Sequence, residues 1–276
     1  MTGVFATGLA HSASGLALVD RLAVFGLSAP TDPVALTTAQ VDSLLSTPVH
    51  DGAVCLLGAA IEAGHVVVSA ADHQRAQAAW GELLARVVHL DGVLLEAAEL
   101  LAAAGIPFRV LKGAAVAHLD EVDPAWRAYG DVDLLVPEHS LLDAMDALAA
   151  AMILPLVPPV RRGWAARFAK GITLVHRSGT QVDLHRTLAP GRWGDTVQSA
   201  SLFAAHDAIE VGGVELPTLA GPDRLLHACY HAMLGGVRGA RHRRDVLLLT
   251  HTVAPADGEA RCRVRSEGHT SELQSR

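Results

Sequence analysis

Two aspartates, Asp131 and Asp133, stand one residue apart in the segment GDVDLLV. Side chains of an extended strand alternate between its faces, so the two carboxylates share one face while Val132, Leu134 and Val136 point to the other, into a core. Like charges held side by side repel and raise each other's pKa, and the arrangement becomes favourable once a divalent cation lies between them. Mg2+ or Mn2+, completed by water and substrate phosphates, is the chemistry this pattern suggests. The plain alternative is a pair of solvated acids at a strand edge. The segment VDLH repeats the geometry, with Asp183 and His185 on one face and Val182 and Leu184 on the other. A third carboxylate on a neighbouring strand can then reach the same ions.

Upstream, LKG ends a strand and opens a helix. Gly113 lets the backbone approach a phosphate closely, and a helix N-terminus offers free N–H groups with a partial positive charge. Lys112 and Arg127 lie close in sequence and can offset triphosphate charge, Lys112 as a point charge and Arg127 as a bidentate fork. The alternative for Lys112 is a solvated residue pointing away from the site. His227 and His231 share a helix face, yet without the glutamate of an HExxH pattern they read as a packed pair rather than a metal pair. Arg238, Arg241, Arg243 and Arg244 form a basic cluster that faces either an anionic ligand or solvent. Asp245, heading DVLLL, reads as a helix N-cap.

These residues need strands and helices to position them. From about Ala39 to Gly105 the chain is rich in Ala and Leu, with Trp80, Leu83, Leu84, Val87 and Val88 at helical spacing. Asp72 is a candidate cap for the long helix, and Gly105 with Pro107 ends it. FRVLKG reads as a strand and AAVAHL as the helix after it. GDVDLLV reads as a second strand backed by the helix LLDAMDALAAA. ITLVHR and TQVDLHRTL, joined at Ser178-Gly179, read as a β-hairpin. VGGVELPTL suggests one more strand before helix resumes near Pro222.

Half of the 276 residues are hydrophobic, enough for a substantial core. A net charge of −7 and 4% aromatics favour neither phosphate-backbone binding nor base stacking, so nucleic acid is not the expected partner. Three scattered cysteines, Cys55, Cys229 and Cys262, argue against a disulfide framework or a thiolate zinc site and suit a reducing cytoplasm. No basic n-region precedes an apolar stretch at the start, and the run around Val54–Ala60 is too short to span a bilayer. The last residues, RSEGHTSELQSR, resemble a translated sequencing adapter and are set aside, so the natural C-terminus is expected to have been cut near Cys262.

The order strand-Gly-helix, DxD strand, then a lone Asp on a later strand is that of the nucleotidyltransferase superfamily that includes DNA polymerase β. The segments RVLKGAAVAHL, WRAYGDVDLLV, QVDLHRTL and LLHACYHAML…RRDVLLL resemble, across roughly Phe108 to Leu249, a family of uncharacterised bacterial nucleotidyltransferase-like proteins. The resemblance implies an α/β (α+β) fold, a mixed sheet flanked by helices. It divides the chain into an N-terminal helical region (1–105), a nucleotidyltransferase core (106–220), a C-terminal helical segment (221–264) and the adapter-like tail (265–276). It implies Gly113 at a phosphate loop, with Lys112 and Arg127 toward the nucleotide. Asp131 and Asp133 become metal ligands, and Asp183 a third ligand and a base. In the superfamily the loop glycine is commonly followed by Ser or Gly and lies closer to the DxD; here Ala114 follows and offers no hydroxyl.

The expected reaction is attack of an acceptor oxygen on the α-phosphate of a nucleoside triphosphate, with pyrophosphate leaving. Two ions roughly 3.5–4 Å apart would orient the nucleophile and stabilise the leaving oxygen. The acceptor, whether small molecule, peptide or protein, is not encoded in any motif. Other readings are an inert nucleotide-binding sensor or partner-binding module, and a DxD glycosyltransferase, which leaves LKG and Asp183 unexplained. An aspartyl-phosphate phosphatase places its acids where a strand ends, whereas here the apolar strand follows them.

Overall fold

A computed structural model of the chain describes residues 18–27, 32–46, 52–157, 169–195, 197, 199–235 and 240–253. Arg238, Cys262 and the adapter-like tail lie outside the described residues. The N-terminal part carries helices α1 (Thr38–Leu45), α2 (Ala53–Glu62) and α3 (Ala70–Ala103), with a small parallel pair β1 (Val34–Ala35) and β2 (Val66–Val67). Ser69, not Asp72, caps α3: its hydroxyl accepts from the Asp72 N–H at 3.1 Å. Asp72 sits three residues on, where its carboxylate accepts from the Ser69 and Thr38 hydroxyls at 2.8 Å each. An acid in the first turn is as favourable to the helix dipole as one at the cap, which is why both positions fit the pattern. Gly105 ends α3 in the left-handed conformation (φ 68), as expected of a C′ residue.

Among the described residues seven strands form the main sheet in the order β5-β6-β7-β4-β3-β9-β8: β3 (Arg109–Val110), β4 (Val132–Leu135), β5 (Leu154–Pro155), β6 (Gly171–Val175), β7 (Gln181–His185), β8 (His206–Val211) and β9 (Val214–Leu219). β4 runs parallel to β7 and antiparallel to β3, so the sheet is mixed. The Ser178-Gly179 turn joins β6 to β7, with Gly179 at φ 88. VGGVELPTL contributes the second arm of a further hairpin, whose first arm is HDAIEV, a strand beyond those expected from the sequence. Its turn, Gly212-Gly213, has φ 57 and 80, the twin positive values of a two-residue hairpin loop.

Helix α4 (Lys112–Ala115), continued by a π-helical turn at Val116–Asp120, follows β3, and α5 (Leu141–Ala149) backs β4. Short helices α6 (Arg192–Asp195) and α7 (Ser199–Ala204) lead to β8; α8 (Gly221–Leu234) and α9 (Ala240–Thr252) follow β9. One large apolar cluster joins Leu83, Val87, Leu90, Leu94 and Leu101 of α3 to Leu141 and Leu148 of α5 and to Val132, Leu134, Val182 and Leu184 of the sheet. Val88, placed in the helical stripe by spacing, faces outward. The opposite sheet face buries Leu111, Leu135 and Leu219, with Leu226 and Tyr230 of α8 packed against them. Strand alternation therefore sends Val132, Leu134 and Val136 of VDLLV, with Val182 and Leu184 of VDLH, to the α3/α5 side, and Leu135 to the other. The intervening acids face the α8 side. None of the described helices is long and apolar enough to cross a membrane.

Candidate active site

The parallel pairing of β4 with β7 sets Asp133 directly against Asp183 and Leu135 against His185. Oxygen or nitrogen atoms of Asp133, Asp183 and His185 lie within 4.8 Å of one another, close enough to share a cation. Asp131, just ahead of β4, is not one of that trio, yet it feels the charges of both other aspartates. Burial first, then repulsion from Asp133 and Asp183, pushes its carboxyl up to about 6 against the pull of Lys112 and Arg241.

Asp133 is the best-held of the three. Burial alone would raise its pKa, but the His185 hydrogen bond and charge, with the Lys112 ammonium, outweigh that and hold it below the usual carboxylate range. Its Oδ1 lies 2.5 Å from Lys112 Nζ and 2.6 Å from His185 Nε2. His185 Nδ1 is buried and has no hydrogen-bond partner among the described residues. Burial depresses the His185 pKa against the attraction of Asp133, so the neutral ring donates through Nε2–H. The Thr173 hydroxyl of β6 donates to Asp183 Oδ1 at 2.6 Å, which fixes that carboxylate's orientation.

Lys112 does not point away from the site. Its backbone takes a left-handed conformation (φ 44), uncommon for a residue with a side chain, as the chain turns from β3 into α4. Gly113 is demanded by packing: a Cβ there would come within 2.5 Å of the Tyr129 Cβ. Contact with Tyr129 is by itself enough to require glycine at this turn.

Helix α8 covers the site from the Leu135 side. A shallow cleft opens beside Lys112 and is lined also by Ala115, Thr218, His227 and His231. Burial, then the charges of Lys112 and Lys170, lowers the His227 pKa well below its ordinary value. The His231 pKa falls to about 3 through burial and its neighbour His242, whose ring centroid is 4.2 Å away. The two histidines are packed neutral groups, as the missing glutamate suggested. Lys170, which precedes β6, escaped the sequence reading. It is lowered to about 8 by burial and by Lys112, while Asp133, Asp183 and Asp131 pull it the other way. A signal for it was present: of the 22 lysines and arginines in the chain, only Lys112 and Lys170 are lysines.

A sequence model of a family described as uncharacterised nucleotidyltransferases matches residues 37–260. The chain belongs to that family. No curated protein sequence matches this nucleotidyltransferase. Solved structures similar to it include that of the antibiotic-resistance factor ANT(2'')-Ia in solution, 15% identical over 69% of this chain and 97% of that one (TM-score 0.47). The same factor crystallised with adenylyl-2''-tobramycin is 15% identical over 68% and 99% (TM-score 0.45). An antigenic nucleotidyltransferase-like protein from Paracoccidioides brasiliensis is 16% identical over 68% and 88% (TM-score 0.42). Likenesses this distant transfer neither a residue nor a substrate.

Within the nucleotidyltransferase, three buried arginine–carboxylate pairs tie α8 and α9 to the segment ahead of β4. Arg224 of α8 forks onto Asp120 at 3.0 and 3.1 Å, and Arg244 of α9 onto Glu121 at 2.7 Å through two nitrogens. Arg127 engages both oxygens of Asp245, one at 2.9 Å. Asp245 is thus no N-cap; α9 begins five residues earlier, at Ala240. The fork expected to reach a nucleotide is held by a residue 118 positions away. Of the basic cluster, Arg243 pairs with Asp20 and Arg241 adds its charge near Asp131, so these side chains are not a solvated loop.

Removing one member of a buried pair strands the other. Arg127→Ala is expected to lower unfolding stability by about 3–5 kcal/mol, read from denaturant titration. Arg127→Met combined with Asp245→Leu should recover most of that loss. An Arg127→Ala variant of unchanged midpoint would mean that the pair does not hold α9.

Proposed function

We propose that this nucleotidyltransferase moves a nucleoside monophosphate from a nucleoside triphosphate onto an acceptor oxygen and releases pyrophosphate, using Mg2+ or Mn2+. The observation that carries the reading is the in-register pairing of Asp133 with Asp183 on parallel strands, with Asp131 at the strand mouth. The donor set suits a hard divalent cation. Ligand atoms of Asp133, Asp183 and His185 lie within 4.8 Å of one another, and Asp131 carries a carboxyl whose ionisation burial and the neighbouring acids oppose until a cation joins them. Asp131, Asp133 and Asp183 would hold the metal, which when bound supplies Lewis-acid activation and neutralises charge on the transferring phosphate.

The remaining duties fall to the chain's own side chains. With Oδ1 of Asp183 occupied by the Thr173 hydroxyl, its other oxygen is the one to take the acceptor's proton. Lys112 and Lys170 set positive charge beside the carboxylates, where a triphosphate would bring its negative charge. His185 keeps Asp133 oriented through its Nε2–H. Calorimetric titration with a nucleoside triphosphate tests this reading: binding should require Mg2+ or Mn2+, and affinity that is the same in chelator would contradict it.

A linked effect on stability follows from Asp131. Its carboxyl binds a proton more tightly in the folded state, at about 6, than at its ordinary value of 3.8. Metal-free stability therefore falls as pH rises between those values and stays low above them. Asp131→Asn removes that penalty and should stabilise the protein at pH 8 in chelator by about 1–3 kcal/mol, the scale of such a shift. At pH 4 the two proteins should melt together. A variant that gains nothing at pH 8 would place Asp131 in solvent rather than against the other acids.

A further inference from the structure

We propose that Lys112 is a built-in counter-cation which a divalent ion must displace from Asp133, so that metal binding depends on a nucleotide whose phosphates receive the released ammonium. The inference rests on the nucleotidyl-transfer reading above and concerns the order in which its ligands are held.

The contact itself is the first argument. Lys112 Nζ lies 2.5 Å from Asp133 Oδ1, with side chains only 15% and 2% exposed. That carboxylate belongs to the trio whose ligand atoms lie within 4.8 Å of one another. An ion at ordinary Mg2+–oxygen distances of about 2.1 Å on this carboxylate would sit close to the ammonium, and two cations in a largely dry pocket repel strongly. Metal and ammonium therefore compete for Asp133. The left-handed backbone at Lys112 turns the side chain back onto β4.

The choice of residue is the second argument. Buried pairs that only hold elements together use arginine: Arg127 with Asp245, Arg224 with Asp120, Arg244 with Glu121. A guanidinium fork locks onto a carboxylate by two bonds, whereas an ammonium on a flexible stem can exchange one oxygen partner for another. Lysine appears at only two positions in the chain, Lys112 and Lys170, and both feel the charge of the same carboxylates. The third argument is room. Lys112 itself lines an open cleft with Thr218, His227 and His231, so the released ammonium has a solvent-facing side on which to meet a phosphate.

The experiment titrates Mn2+ into the full chain, wild type and Lys112→Met, with and without an ATP analogue carrying a methylene bridge between the α- and β-phosphorus. Without nucleotide, Lys112→Met should bind Mn2+ at least tenfold more tightly than wild type. The enhancement of Mn2+ affinity by the analogue should shrink by a similar factor. Equal or weaker nucleotide-free Mn2+ binding in the folded variant overturns the proposal. A measurement on wild type needs no variant: acylation of Lys112 by a dilute amine reagent, read by mass spectrometry against the N-terminal amine. Saturating Mn2+ should raise Lys112 labelling several-fold, and adding the analogue should suppress it again. Labelling indifferent to Mn2+ overturns the proposal. If Mn2+ binds to no form of the protein, the nucleotidyl-transfer reading falls with it. Metal-dependent turnover with unchanged Mn2+ affinity in Lys112→Met removes this inference alone.

Discussion

Asp133→Ala is expected to lose metal-supported nucleotide binding and turnover together, the largest effect of any single change in the site. The carboxylate is buried, stands in register with Asp183, and accepts from both Lys112 and His185 through one oxygen. Removing it takes away a ligand and leaves an ammonium and an imidazole N–H without their acceptor. The second consequence should cost roughly 1–3 kcal/mol of stability, the usual penalty for stranding buried polar groups. Asp133→Asn keeps the shape and separates the two effects: calorimetry should still find no metal-dependent affinity, while the loss on unfolding is smaller. Triphosphate affinity within a few-fold of wild type in both variants would remove Asp133 from the metal site.

Asp183→Ala should behave differently. Its carboxylate is oriented by the Thr173 hydroxyl and is only half-buried, so the proposed duty is toward the acceptor more than toward the triphosphate. Turnover is expected to fall by a factor of about 10² or more, the scale of a lost general base. Triphosphate affinity should largely survive. Steady-state rates of pyrophosphate release, set beside calorimetric affinities, check the split; equal losses in both quantities would make Asp183 a ligand and nothing more.

The parts of this site visible in the sequence were those governed by local geometry. Period-two alternation alone sent Val132, Leu134, Val182 and Leu184 to the main core and Asp133 and Asp183 to the other face, as the structure has them. The Ser178-Gly179 turn was legible for the same reason. Pairings between distant segments were not. Arg127 and Asp245 each read locally, as nucleotide contact and helix cap, because nothing in either neighbourhood reveals a partner 118 residues away. A glycine at a strand-to-helix turn reads as a place for close phosphate approach, and the packing of Tyr129 against Gly113 is a further reason for it that the fold alone reveals. Lys170 lies at the start of a strand without a motif, and its scarcity as a residue type, rather than its surroundings, marks it out. The hairpin arm HDAIEV is hard to read although Gly212-Gly213 announces the turn, since short polar-alternating arms carry little apolar signal.

Carboxylates brought together by the β4–β7 register are proposed to support transfer of a nucleoside monophosphate. Wild-type protein incubated with Mg2+ or Mn2+, a pool of acceptors and triphosphates labelled separately at the α- and γ-phosphorus tests it most directly. The α-label should pass to an acceptor while the γ-label appears in pyrophosphate, and both should vanish in chelator. Tight metal-dependent triphosphate binding with no pyrophosphate released across the whole acceptor panel would contradict it and leave a nucleotide sensor in its place.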